Sequence, residues 1–167
     1  MFQTVDVFLQ MWNYEVSQTQ KVLDHLTDES LQQEIAPGHW TLGRVAWHTV
    51  TAIRIISSQS GLTFEAPDKD FPVPESAQYI AEQYKAASEA FQKAVKSQWN
   101  DSKLQEVHNI FRRDMSIGAL LMFLIHHQIH HRGQMTVLMR QAGLTVPGVY
   151  GPSKEDWAKI GMEAPKM

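Results

Sequence analysis

Cysteine is absent from this 167-residue chain. That excludes a disulfide framework, and it removes thiolate from the metal ligands and nucleophiles the protein itself can supply. A chain without cysteine suits a reducing compartment, so a cytoplasmic location is expected. An excess of positive charge is also missing: 15 Lys+Arg against 18 Asp+Glu leave a net charge of −3, and Arg112-Arg113 is the sole adjacent basic pair. Proteins that grip phosphate backbones regardless of sequence carry clustered basic surface, so no nucleic-acid partner is expected. No stretch approaches the roughly 18 apolar residues that a spanning helix needs. The opening MFQTVDVFLQMWNYEV is broken by Gln3, Asp6, Gln10 and Glu15 and has no basic start, so neither a signal peptide nor a membrane anchor is expected. No internal repeat, low-complexity run, glycine-rich phosphate loop or GxSxG elbow occurs.

What is present is 43% hydrophobic residues, enough for one core and short for two. A single domain over 1–167 is expected. The apolar residues recur at helical spacing in four long stretches separated by Pro- and Gly-marked joints. Residues near 4–26 carry Val5, Phe8, Leu9, Trp12, Val16, Val22 and Leu26 at that spacing. Thr41 is placed to cap a second helix running to about Ser58. The linker SGLTFEAPDKDFPVPES, with Pro67, Pro72 and Pro74, reads as an extended crossing. Helix resumes from Glu75 to about Gln98, with Tyr79 or Ile80 inward. Residues 99–115 read as a short extended pair or a loop. Ser116 then resembles an N-cap for a fourth helix that reaches Gln141, before the stop at Gly143. Within it Gly133 costs roughly 1 kcal/mol relative to Ala, which suggests either close approach of another backbone or a glycine tolerated by chance. The Pro-interrupted tail should wrap the bundle, with Tyr150 either packing over the core or lining a cleft as a hydrogen-bond donor.

The histidines are the chemically informative feature. His127 and His131 in HHQIHHRGQ are four residues apart. With roughly 100° of rotation per residue, they share the apolar face with Leu120, Leu124 and Leu138, while His126 and His130 fall on the flank. Side chains at i and i+4 lean the same way, so both rings can meet one atom. Two readings fit. The rings are core histidines satisfied by neighbouring polar groups, or they bind a divalent cation, which takes one nitrogen from each. The second helix offers a third ring, His48, on a face with Val45, Ala52 and Ile55. Three histidines from two helices would make a facial nitrogen set that leaves coordination positions for water or substrate. His25, His39 and His108 read as end caps or solvent-facing groups. Gln134 could orient a ligand or close a polar network. Glu15, Asp24 and the other carboxylates supply no identifiable general base.

The histidine in LGRVAWHTV, the run HHQIHHRGQ and the tail LTVPGVYGPSKEDW together resemble the DinB/YfiT-like metalloprotein superfamily over nearly the whole chain. The motif H-x-x-H-H-R-G-Q at His127, His130, His131, Arg132, Gly133 and Gln134 is its strongest element. The resemblance implies an all-α four-helix bundle, a metal triad on His48, His127 and His131, zinc or nickel as the divalent metal, and a homodimer. It also implies an activity of thiol-dependent transferase or hydrolase type on a small-molecule substrate, with a low-molecular-weight thiol as possible cosubstrate. The alternative is a non-catalytic metal-binding stress-response protein acting through a dimer surface, and a third is an interaction module whose histidines bind nothing. Met115, Met122, Met135 and Met139 fit core positions or a dimer seam.

Overall fold

The computed structural model describes residues 2–166, so the two terminal methionines of the expected 1–167 domain lie outside the described residues. Four long helices dominate: α1 Val5–Leu23, α2 Leu42–Ser57, α3 Ala77–Gln98 and α4 Ile117–Gln141. Each begins at a hydroxyl that accepts a hydrogen bond from a backbone N–H of the first turn. Thr4 accepts from Val7, Thr41 from Arg44, Ser76 from Tyr79 and Ser116 from Ala119, at 3.1–3.2 Å. These caps satisfy donors that a helix start otherwise leaves free, and each is worth about 1 kcal/mol. At the far end of α4, Gly143 adopts φ 76°. Its N–H bonds to the Arg140 carbonyl and the Leu144 N–H to the Met139 carbonyl, closing the helix as a Schellman turn.

The helices bury the faces that their periodicity marks. Phe8, Trp12, Val45, Ile53, Ile80, Tyr84, Phe91, Leu120, Leu124 and Leu138 are all at most 2% exposed, and burial of each aliphatic or aromatic side chain contributes about 1.5–3 kcal/mol. Helix α2 packs against α4 and α3, and α1 against α3 and α4. At one end of the core Trp12 meets Phe91 edge-on with ring centroids 4.9 Å apart, and Phe8 and Phe64 close around them. Between the Tyr79 and Ile80 alternatives, Ile80 is fully buried and Tyr79 is 38% exposed. Ile55, expected inward, is half-buried. Gly133 has no heavy atom of a neighbour within 4 Å of where a Cβ would stand, so the expected close approach of a backbone is not there.

The short extended pair of residues 99–115 is a hairpin, β1 Val107–Ile110 and β2 Arg113–Ser116, antiparallel with Val107 opposite Ser116 and Ile110 opposite Arg113. That register leaves Phe111 and Arg112 as a two-residue turn, with φ 51° and 64°. Two positive φ values match the right-handed strand twist, and the turn normally selects Asn-Gly. A phenylalanine there is held against a strain of about 1–3 kcal/mol. Ser116 ends β2 and caps α4, so the hairpin tip is set by the helix that follows. The tail contains the short helix α5 Asp156–Lys159. Among the described residues no helix is long and apolar enough to cross a membrane.

Candidate metal centre

Helices α2 and α4 carry the three histidines to one point. His48 Nε2 lies 3.3 Å from His127 Nε2, and His131 Nε2 lies 3.3 Å from the same atom. One nitrogen from each ring falls within 4.8 Å of the others, so the group could hold a metal ion. His131 is 8% exposed, and the other two are half-buried. The donor set fits a divalent cation: tetrahedral coordination at 2.0–2.1 Å puts ligand nitrogens about 3.3–3.4 Å apart, the separation found here on two edges of the triangle.

Protonation of the rings favours the same reading. His131 Nδ1 lies 2.7 Å from Gln134 Oε1. A carbonyl oxygen can only accept, so the proton sits on Nδ1 and Nε2 presents a bare lone pair. This is the support that ligating histidines receive from a polar neighbour, and it gives Gln134 the orienting role among those open to it in the sequence. The Nδ1 of His127 is buried without a partner among the described residues, so the cluster is not a self-satisfied hydrogen-bond network. Desolvation, with the charges of His131 and Arg44 adding to it, lowers the His48 pKa from 6.5 to about 4. Burial, together with His131, His48 and His130, takes His127 to about 4. Burial also lowers His131, against the opposing hydrogen bond of Gln134. All three are neutral at pH 7, the form a cation requires.

Aromatic and cationic side chains adjoin the cluster. Trp40, 43% exposed, stands edge-on to His48 at 5.2 Å between centroids and stacks toward His131 at 6.5 Å. The Arg44 guanidinium carbon lies 5.1 Å from the Trp40 ring centroid. Phe123 approaches His127 at 6.0 Å, and Phe111 at the hairpin tip approaches Phe123 at 6.0 Å. Sequence reasoning passed over these residues, although two were legible: Arg44 precedes His48 by four positions, and Phe123 precedes His127 by four, so each shares its histidine's helical face. The flanking His126 and His130 are exposed, as their positions on the helix require.

The other side of α4 faces α1. Arg132, next to His131, is 2% exposed and is held by the Glu15 carboxylate at 2.7 Å, the Glu15 carbonyl at 3.1 Å and the Thr19 hydroxyl at 3.0 Å. Tyr150 donates to the same Glu15 oxygen at 2.7 Å, and its ring lies beside the guanidinium. Burial and the Glu15 contact push the Tyr150 hydroxyl up to about 12, so it remains a donor. Tyr150 therefore serves neither of the roles expected for it alone: it pins the tail to α1 and α4 through Glu15, and it does not line the histidine cluster. Glu15, which the sequence could not place, belongs to this network and not to the candidate centre. A groove of about 760 Å³ between α1 and α3 contains none of the three histidines.

A DinB family profile matches residues 1–167. The Bacillus subtilis (strain 168) protein YrdA is 65% identical over 167 residues, covering all of both chains. A crystal structure of a DinB-like protein from Bacillus cereus ATCC 10987 matches 90% of this chain and 100% of its own, with 62% identity and a TM-score of 0.87. The DinB-like protein YjoA of Bacillus subtilis, at 17% identity and a TM-score of 0.66 over 85% of this chain and 96% of its own, shares the fold. The chain belongs to the DinB family.

Proposed function

We propose that this member of the DinB family is a metal-dependent enzyme in which His48, His127 and His131 hold one divalent cation, zinc or nickel, and act on a small molecule. The observation that carries the reading is the convergence of three neutral imidazole Nε2 atoms from two helices, at separations that suit a single cation. Such a cation supplies Lewis-acid polarisation of an oxygen or sulfur atom of the reactant. The chain's own residues do the rest. Gln134 fixes the His131 tautomer and ring plane. Trp40 and Phe123 shield the cluster from bulk water on two sides, which strengthens electrostatic interactions within it. His48 and His127 are half-buried, so neither residue is sealed from solvent.

The reaction class that fits is transfer to or from a low-molecular-weight thiol, or hydrolysis. The absence of cysteine bears on the first, since any thiol in the reaction must come from a cosubstrate. Metal content by mass spectrometry on untagged protein tests the reading. Near one equivalent should be retained by wild type and by His126→Ala, and lost by His48→Ala, His127→Ala and His131→Ala. Wild-type protein that takes up neither zinc nor nickel on dialysis would sink it and favour the interaction module.

A further inference from the structure

The rim of the histidine cluster has three features that the metal does not explain. Arg44 is half-buried, lies one turn before His48 and rests on Trp40. Among the described residues it makes no salt bridge with a carboxylate. A cation without a counter-ion beside a site already poor in negative charge attracts anions. Phe111, Phe123 and Trp40 are 51%, 41% and 43% exposed, and their rings bracket the cluster through an unbroken series of contacts from Phe111 to Phe123, His127, His48 and Trp40. Three large exposed aromatics joined by ring contacts to one polar cluster are the kind of surface on which a flat apolar ligand is held. Phe111 is also held at positive φ in a turn that a glycine would occupy without strain. Strain kept at a rim residue, beside aromatics that face solvent, is expected where the side chain contacts a ligand.

We propose that the reactant of this centre is a small organic anion with a flat apolar body: Arg44 receives its anionic group, and Trp40, Phe123 and Phe111 hold the body against the three histidines. The inference rests on the metal-centre reading above and specifies its substrate class. Arg44 binds as a cation whose planar face is already committed to Trp40, so its N–H edge is the part offered to the ligand. The aromatic residues contribute area and orientation with little loss of side-chain freedom.

The test uses zinc-loaded full-length protein and 2-naphthoate as probe, read by calorimetry, with 2-naphthalenemethanol and acetate as controls lacking the charge or the ring. Saturable 2-naphthoate binding is expected, with each control at least about tenfold weaker. Arg44→Ala should weaken the probe about tenfold and Arg44→Lys should recover part of the loss. Phe111→Gly is the sharper variant. It relieves the positive-φ strain, so its thermal midpoint should be unchanged or raised while 2-naphthoate binding falls about fivefold. A merely structural phenylalanine would not separate the two readouts. Equal 2-naphthoate affinity in wild type, Arg44→Ala and Phe111→Gly overturns the inference. Zinc content is measured on the same samples. Zinc-loaded protein that does not bind 2-naphthoate overturns the substrate class alone, whereas protein that takes up no zinc overturns the metal reading and this inference with it.

Discussion

Helix α4 presents two polar faces that differ in one respect. Toward α1 it buries Arg132 against Glu15, Thr19 and Tyr150. Toward α2 it places His127 and His131 against His48. The first face matches cation to carboxylate and donors to acceptors. The second aims three imidazole nitrogens at one point and leaves the His127 Nδ1 unpartnered among the described residues. Adjacent positions in one helix therefore separate a polar network that the chain satisfies from one that it does not. Burial of polar groups is common to both; satisfaction by the chain itself is not.

The largest expected loss comes from breaking the matched face. Arg132→Ala leaves the Glu15 carboxylate buried without its cation and should cost about 3–5 kcal/mol in denaturant unfolding. Glu15→Leu/Arg132→Leu removes both charges and should cost less than the two single changes together. Additive losses in that double-mutant cycle would mean that the pair is uncoupled and the comparison false. The histidine face should behave in the opposite way, gaining from outside. Zinc at a hundredfold excess over its dissociation constant should raise wild-type stability by about 2.7 kcal/mol, with the gain absent from His127→Ala. Next, Gln134→Ala should weaken metal affinity by about 10–100-fold while the three ligands remain, as loss of an orienting partner does. Unchanged affinity would remove Gln134 from the centre.

Acid separates the faces more gently. His48 and His127 have folded-state pKa values of about 4 against 6.5 when unperturbed, so between those values the unfolded chain binds more protons than the folded one. Their contribution to the stability of the metal-free protein is therefore complete above about pH 6.5 and is lost as pH falls toward 4. Denaturant midpoints measured across that window with and without His48→Ala and His127→Ala should converge at the acid end. Identical pH slopes would show that the rings are not desolvated. The smallest effect belongs to the exposed pair of Arg140 and Glu155, whose removal should leave the unfolding midpoint within error because water and salt already screen it.

Much of this arrangement was legible along the chain, because helical faces and caps are local properties. Thr41, Ser116 and Gly143 mark their helix ends by side-chain chemistry alone, and His127 and His131 share a direction because 3.6 residues make a turn. Arg44 and Phe123 could have been found by the same i,i+4 rule. Glu15 was out of reach: a carboxylate on an amphipathic helix reads as solvent-facing until its partner, Arg132, is brought beside it from 117 residues away. Phe111 was hidden for another reason, since Phe-Arg is not a turn signal and its conformation is imposed by strand register.

The sequence by itself determined four capped helices, the faces they bury and the three histidines available to a metal. Tertiary structure decided that His48 meets His127 across 79 residues of chain and that the hairpin brings Phe111 against Phe123. The division has a physical basis. Periodicity fixes the direction in which a side chain leaves its own helix, whereas the distance between nitrogens on different helices depends on how those helices pack.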